Sequence, residues 1–251
     1  MKNKLSIFAI SLLLSSVILF AGCKKDPEVP ENTMQQLSFH IHNNVGNQEA
    51  DYSSTFSDAT GRKFSLTDYR YYLSNIVLIK ADGSELPLTD VVLLVNPANH
   101  DYVLADVPTG DYKGLTMLYG LDSVTNHQDP ATYPADNPLS IQSPGIHWDW
   151  NSGYIFSKIE GLCDTSLAAN GQADFQFFYH VGMDMMKRTI DMSNHPFTIQ
   201  AGSDKELVLE LDLLDVLENV DLRTENETHT FNNMPLAEKI ADNFAVSFTM
   251  E

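Results

Sequence analysis

The chain has 251 residues, with 34 acidic and 15 basic side chains and a formal net charge of -19. This acidity argues against nucleic acid as a partner, because the phosphate backbone would be repelled. The length suits one large β domain, and no internal repeat or shift in composition indicates a second one.

The N-terminus predicts a lipoprotein signal peptide over residues 1–22. Lys2 and Lys4 precede an apolar run that is short for a bilayer span and ends at small residues just before Cys23. A transmembrane helix is the alternative. We expect Cys23 to be the lipidated first residue of the mature chain.

A short linker and one domain are predicted to follow the signal peptide. Residues 23–35 are charged and contain prolines, as expected of a flexible stalk, and residues 36–251 form the domain. The Lys-Lys-Asp that follows Cys23 resembles the export tags of surface lipoproteins in some Gram-negative bacteria. We therefore expect a lipid anchor in the outer membrane, with the domain facing the periplasm or the cell surface.

Short runs of aromatic and β-branched residues, separated by Gly, Pro, Asn and Asp, predict a mostly β fold. We expect two packed antiparallel sheets, that is, an antiparallel β-sandwich with long loops and one short C-terminal helix. The predicted strands are 36–45, 71–80, 86–95, 101–105, 112–121, 154–159, 173–181, 189–192, 197–200, 205–215 and 244–250.

Four local patterns refine this prediction. Asp82-Gly83 predicts a hairpin turn between two apolar strands. Residues 123–145 read as a long irregular loop with four prolines, and residues 235–244 as a short helix with Pro235 in its first turn. In 205–215, alternate leucines predict a strand with one solvated face.

Two histidines near the start of the domain share one face of a predicted strand. Alternate residues of a strand face the same side, so Phe39 and Ile41 point to the core, and His40 and His42 point away from it. Cα atoms two residues apart lie about 7 Å from each other. Two imidazoles at that spacing can converge on copper or zinc. The alternative is a pair of solvated histidines.

Both tryptophans of the chain lie in the segment GIHWDWNSGYIF. If this segment is extended, Trp148 and Trp150 share one face and His147 lies on the other. From composition alone, both indoles are core packing, and His147 is an ordinary surface histidine.

Cys163 is the one cysteine that remains after lipidation of Cys23, so it has no partner for an intramolecular disulfide. A small buried thiol is one interpretation, and a soft metal ligand or reactive thiol is the other.

A third histidine, His180, lies at the end of a predicted strand, just before Gly182. Met183, Met185 and Met186 follow it, and thioethers can either bind Cu(I) or fill gaps in a core. By itself His180 is structural. It becomes a metal ligand only if the fold brings it to His40 and His42.

Six segments, taken together and in order, resemble the MbnP-like copper-binding protein family, which includes the MopE- and CorA-type surface copper proteins. The segments are FHIHNNVG, FSLTDYRYYLSNIVL, VPTGDYKGLTMLYGLDSVTN, HWDWNSGYIFSKIEG, FQFFYHVG and MPLAEKIADNF. The resemblance extends from about residue 37 to the C-terminus.

The resemblance implies a secreted or surface β domain that binds a single copper ion through histidines. Carried over by motif, the ligands would be His40, His42 and His180, with His147 a weaker candidate because the family often has an apolar or aromatic residue there. Met183 and Cys163 are soft ligands that could be added.

In some family members a dihaem cytochrome c peroxidase-like partner oxidises a tryptophan to kynurenine, which then takes part in copper binding. Trp148 and Trp150 would be the residues concerned, and we expect them to lie together at the surface.

The sequence thus predicts a copper-binding lipoprotein for copper capture or homeostasis, with no catalytic residue. Copper affinity should fall as histidines are protonated. One alternative is a metal-free cell-surface module that recognises glycans or proteins through exposed aromatic rings. A redox enzyme that uses the copper is a third hypothesis, but the sequence indicates no substrate for it.

Overall fold

The computed structural model describes residues 33–148 and 153–251, which form two β-sheets around a shared hydrophobic core. The mostly β fold with a C-terminal helix is as predicted. The strands are β1 (Met34–Val45), β2 (Gln48–Glu49), β3 (Phe56–Ser57), β4 (Lys63–Lys80), β5 (Glu85–Pro87), β6 (Val92–Val95), β7 (Asp101–Pro108), β8 (Gly110–Tyr119), β9 (Ile155–Cys163), β10 (Phe175–Gly182), β11 (Arg188–Met192), β12 (Phe197–Ile199), β13 (Lys205–Asp212), β14 (Glu227–Thr228) and β15 (Phe248–Met250). The α-helices are α1 (Ser123–Asn126), α2 (Leu213–Val216) and α3 (Met234–Val246), and there are 3₁₀ turns at Pro130–Thr132, Asp184–Met186 and Phe231–Asn233.

The smaller sheet is centred on β1. Its strand order is β15-β13-β1-β2, and β7 pairs with β1 on the side opposite to β13. Leu37, Phe39 and Ile41 of β1 are buried in the core, and the residues between them are partly exposed on the outer face. The predicted alternation of β1 is therefore confirmed.

The larger sheet is centred on β4, which pairs with β8 on one side and β9 on the other. Its main order is β11-β8-β4-β9-β10-β14; in addition, the short strands β3, β5 and β6 pair with β4, and β12 pairs with β8. The sheet curls into a half-barrel. Tyr69, Tyr71 and Tyr72 of β4 are fully buried, which gives the core its aromatic character.

Both sheets are mixed, whereas purely antiparallel sheets were predicted. The strands β1 and β13 pair in parallel, with His40 opposite Val208, and β10 pairs in parallel with β14. Short hairpins force neighbouring strands to be antiparallel, but β1 and β13 are separated by most of the domain, so their direction is set by tertiary packing.

Several predicted boundaries are wrong for local reasons. The strand predicted over 205–215 ends at Asp212, whose carboxylate accepts from the backbone N–H of Leu214 and begins helix α2. The strand predicted over 244–250 is reduced to β15, because α3 continues to Val246. The strand predicted over 86–95 is split into β5 and β6.

Helix α3 closes one side of the core. Leu236, Ile240 and Phe244, spaced at i, i+4 and i+8, are all buried. The ring of Phe244 stacks on Tyr119 with a centroid distance of 4.4 Å. This spacing agrees with the helix, as does the share of good helix formers such as Ala, Leu, Glu and Lys in the segment.

The predicted hairpin at Asp82-Gly83 is confirmed, and Gly83 has the positive φ of 88° that such a turn requires. The region 123–145 is less irregular than predicted, since Asp122 caps α1 and Asp129 caps a 3₁₀ turn. Within the described residues, no helix has both the length and the apolar character needed to span a bilayer.

Candidate metal centre

The side chains of His40 and His42 lie next to each other on the outer face of β1. Their ring centroids are 4.7 Å apart and their planes are steeply inclined. Both imidazoles are about two-thirds buried, with 28% and 33% of the side chain exposed. The expectation that these two histidines share a face is confirmed.

A third imidazole, that of His100, joins them from the turn that precedes β7. Two hydrogen bonds attach this residue to β1: Ile41 N–H donates to the His100 carbonyl at 2.8 Å, and His100 Nδ1 lies 3.1 Å from the Ile41 carbonyl. The ring centroid of His100 is 5.7 Å from that of His40 and 6.1 Å from that of His42. One nitrogen from each ring lies within 4.8 Å of the other two.

The hydrogen bonds of the three rings fix their tautomers. Nδ1 of His40 contacts Asp101 at 2.6 Å, Nδ1 of His42 contacts Glu49 at 2.7 Å, and Nδ1 of His100 contacts the Ile41 carbonyl. Carboxylates and carbonyls only accept hydrogen bonds, so each Nδ1 carries the proton. Each Nε2 then carries a lone pair that can bind a metal ion.

Carboxylates surround the cluster and give it a negative electrostatic potential. Glu49 also approaches Nε2 of His100 at 3.7 Å, and Glu206, on the neighbouring strand β13, forms a second grouping with His40 and Asp101. A carboxylate on the far nitrogen of a ligating imidazole orients the ring and raises its basicity. The site therefore combines three imidazole nitrogen ligands with an outer layer of carboxylates.

This donor set fits a late first-row transition metal. Imidazole suits copper and zinc, whereas magnesium and calcium prefer an all-oxygen environment. The three rings come from a rigid strand and from a turn bonded to it, so little ordering of side chains would be required on binding.

His180, the third ligand that the sequence predicted, does not join His40 and His42. It lies on β10 in the larger sheet, where Nε2 is 2.7 Å from Glu160. Its ring centroid is 4.7 Å from that of His229. The prediction relied on motif order, which carries no information on which sheet a strand enters.

The surroundings of His180 form a separate polar cluster. The hydrogen bond with His180 and the nearby Lys158 outweigh burial and lower the pKa of Glu160 to about 2. Burial, together with His180, lowers the pKa of His229. Lys158 also contacts Asp68, which forms a bidentate pair with Arg70. This cluster is an ion-pair network that links strands β4, β9 and β10.

The tryptophan segment is only partly described. Trp148 is 5% exposed and belongs to the core, so the expectation of a surface position does not hold for this residue. The imidazole of His147 packs edge-on against the ring of Tyr154, away from the three-histidine cluster. Trp150 and Cys23 lie outside the described residues.

The two soft ligands considered from the sequence also lie elsewhere. Cys163 is fully buried, its Sγ is 3.4 Å from the Leu222 carbonyl, and burial raises its pKa to about 11. This is the small buried thiol of the first interpretation. Met183 lines a different cavity, together with Trp148.

His100 was not identified from the sequence. It precedes a predicted strand, in NPANHDYVLAD, and nothing in that segment marks it as a ligand. The informative feature is the antiparallel pairing of β7 with β1, which puts Asp101 opposite His40. A prediction of which strands pair could have identified His100 as a ligand. The pattern of residues along a single strand could not.

Comparisons with known proteins agree with this architecture. The family model described as MbnP matches residues 34–234. Among solved structures, MbnP from Methylosinus trichosporium superimposes with a TM-score of 0.55 and 18% sequence identity, covering 78% of this chain and 82% of the other. At this identity the similarity shows a shared fold. A search of curated proteins gave no match.

Proposed function

This chain belongs to the MbnP family, and on that premise we propose that it is a copper-binding protein that holds one copper ion between His40, His42 and His100. The observation that carries this proposal is the convergence of three imidazole nitrogens within 4.8 Å. All three rings have Nδ1 bonded to an acceptor, which leaves Nε2 for the metal.

Copper is favoured over other metals by the donor set and by the family. For a given nitrogen site, Cu(II) stands at the top of the affinity order of the divalent first-row ions. The partial exposure of the rings suits uptake and release of the ion, which supports a role in copper capture or homeostasis.

The test is a Cu(II) titration of the purified protein and of single-histidine variants. We expect one equivalent to bind, with His40→Ala, His42→Ala and His100→Ala each lowering the affinity at least about tenfold, because each removes a ligand. His195→Ala is the matched control, since His195 is an exposed histidine in the connection between β11 and β12. His180→Ala should behave like this control. If His180→Ala lost copper binding and His100→Ala kept it, the assignment of His100 as a ligand would be refuted.

We also propose that the protein is anchored by a lipid at Cys23 in the outer membrane, facing the periplasm or the cell surface. The short apolar run that ends in small residues before this cysteine supports the proposal. Replacement of Cys23 by serine should release the protein from the membrane fraction of the native cell.

Oxidation of a tryptophan by a dihaem peroxidase-like partner is a separate proposal that rests on the family resemblance. It concerns Trp148 or Trp150, and a peptide mass map over residues 143–158 of protein from the native membrane tests it. A tryptophan-to-kynurenine mass shift would support the proposal, and unmodified tryptophan in such material would contradict it.

The alternative of a metal-free module with an aromatic platform is weakened by the structure. A ring that stacks on a ligand must be accessible, and Trp148 is buried. The three-histidine cluster has no role in that hypothesis.

A further inference from the structure

The outer face of β1 carries a second group of donor atoms, which shares His40 with the three-histidine cluster. One nitrogen of His40 and one carboxylate oxygen each from Asp101 and Glu206 lie within 4.8 Å of one another. Asp101 belongs to β7 and Glu206 to β13, the two strands that flank β1. We call this group the carboxylate position.

The register of the strands brings these three side chains together. Asp101 is opposite His40, and Glu206 is opposite Ser38, two residues before His40 on the same face of the sheet. Adjacent strands lie about 4.8 Å apart, so the backbones of β7 and β13 are separated by about 10 Å across β1. Since their carboxylate oxygens are within 4.8 Å of each other, the two acidic side chains lean towards one another over β1.

The two carboxylates of this group still have oxygens to offer. Asp101 uses Oδ1 to accept from Nδ1 of His40 at 2.6 Å. Among the residues that the structure describes, no hydrogen bond or ion pair engages Oδ2 of Asp101 or the carboxylate of Glu206. Two negative charges at this separation repel each other, and a cation bound between them removes the repulsion. The arrangement therefore favours a cation.

The carboxylate position is more accessible than the three-histidine cluster. The side chain of Asp101 is 74% exposed and Glu206 is also exposed, whereas His40 is 28% exposed. An ion that arrives from solvent therefore meets carboxylate oxygens before it contacts all three imidazoles. Negative charge at such a place also raises the local concentration of cations and speeds their association.

The donor atoms set an order of affinity between the two groups. Carboxylate oxygens suit hard ions, and imidazole suits copper and zinc. One nitrogen with two oxygens should therefore hold Cu(II) more weakly than three nitrogens. His40 belongs to both groups. An ion can thus keep this ligand while the two carboxylates are exchanged for the other two imidazoles.

We propose that the carboxylate position, formed by His40, Asp101 and Glu206, is an entry site for Cu(II), from which the ion passes to the three-histidine cluster while it stays bound to His40. This inference rests on the proposed function, since it names the route by which the copper site is filled and emptied. Because the two groups share a ligand, the protein holds one ion in one of the two places at a time. The transfer exchanges ligands only and involves no change of oxidation state.

The first experiment isolates the carboxylate position. A variant with His42→Ala and His100→Ala keeps all three residues of that position. We expect it to bind one equivalent of Cu(II) more weakly than the unmodified protein, with the electron paramagnetic resonance spectrum of one nitrogen and several oxygen ligands. The further change Glu206→Gln should lower this remaining affinity at least about tenfold, because it removes a ligand. An affinity that does not respond to Glu206→Gln overturns the proposal.

Glu210→Gln is the matched control for Glu206→Gln. Glu210 has the same charge and lies on the same strand and face, opposite His42. A general effect of negative charge would appear in both variants. Equal losses of affinity in the two would show that Glu206 acts only through its charge, and would overturn the proposal.

The second experiment measures rates in the protein with all three histidines. Stopped-flow mixing with Cu(II) gives the association rate. Release to a chelator, at concentrations where the rate no longer depends on the chelator, gives the dissociation rate. We expect Glu206→Gln to slow both rates by about tenfold and to leave the affinity nearly unchanged, because an entry site lies on the path in both directions. Slower association with unchanged or faster dissociation would overturn the route.

The entry site and the copper site fail in different ways. Cu(II) binding that does not depend on His42 or His100 would refute the proposed function, and the first experiment would still test the carboxylate position by itself. If the single-histidine variants lose Cu(II) but Glu206→Gln changes neither the remaining affinity nor the rates, only the entry site is refuted.

Discussion

Gly182 supports the indole of Trp148 so closely that a Cβ atom at position 182 would lie 2.6 Å from Cη2 of the ring. The same Cβ would lie 2.6 Å from the backbone carbonyl oxygen of Tyr154, which cannot rotate away. The glycine that follows His180 in the H-x-G segment therefore makes room for the tryptophan of HWDW. The packing of Gly182 against Trp148 thus accounts for the glycine of one motif and links it to the tryptophan of another motif far away in the sequence.

We predict that Gly182→Ala destabilises the protein. The added methyl group must displace the indole and a backbone carbonyl, and overpacking of this kind costs about 1–3 kcal/mol. The free energy of unfolding in urea measures the effect. Gly145→Ala is the control, because a Cβ there meets no atom within 4 Å. Equal stability of the two variants would show that the packing is not as tight as described.

Glu49 is predicted to tune the copper site without being a ligand. It accepts from Nδ1 of His42, so Glu49→Gln replaces a charged acceptor by a neutral one and weakens the orientation of that ring. We expect the Cu(II) affinity to fall about 10-fold, within the range typical of outer-shell changes. Glu238→Gln on α3 removes the same charge at an exposed position and serves as the control. Equal affinity losses in both variants would indicate a non-specific effect of charge.

The ion pair of Glu160 with His180 should make stability depend on pH in the acid range. The pKa of Glu160 is about 2 in the folded protein, below its usual value of 4.5, so the unfolded chain binds more protons between these values. The stabilisation is complete above the higher value and is lost as the pH falls towards the lower one.

We therefore expect Glu160→Gln to lower the free energy of unfolding by roughly 1 kcal/mol at neutral pH, a value that allows for solvent screening of this part-exposed pair. The difference from the unmodified protein should shrink as the pH falls towards about 2. Urea unfolding at a series of pH values measures it, with the exposed Glu85→Gln as the control. A difference that grows on acidification would contradict the sign derived above.

Cys163 should be chemically inert in the folded protein. Burial raises its pKa to about 11, and the thiol is fully enclosed. In a Cys23→Ser variant, Cys163 is the sole thiol, and we expect no reaction with a thiol reagent at mildly alkaline pH until a denaturant is added. Rapid modification without loss of structure would revive the interpretation of Cys163 as a reactive thiol.

Local sequence pattern was sufficient for the features that depend on neighbouring residues. Alternation in β1 predicted that His40 and His42 share the outer face, because side chains on a strand repeat with period two. The spacing of Leu236, Ile240 and Phe244 predicted helix α3 for the corresponding reason. Strand ends were less accurate, since a single capping residue such as Asp212 can change the conformation.

Tertiary structure alone decided which distant groups meet. His100 joins the cluster because β7 pairs with β1 in a register that places Asp101 opposite His40, 61 residues away. His180 is excluded because β10 lies in the other sheet, where Glu160 and His229 surround it. Strand pairing and register depend on the summed packing of many side chains, which cannot be read from any short segment. Local sequence therefore predicted that the ligands are histidines, and the tertiary structure decided which histidines come together.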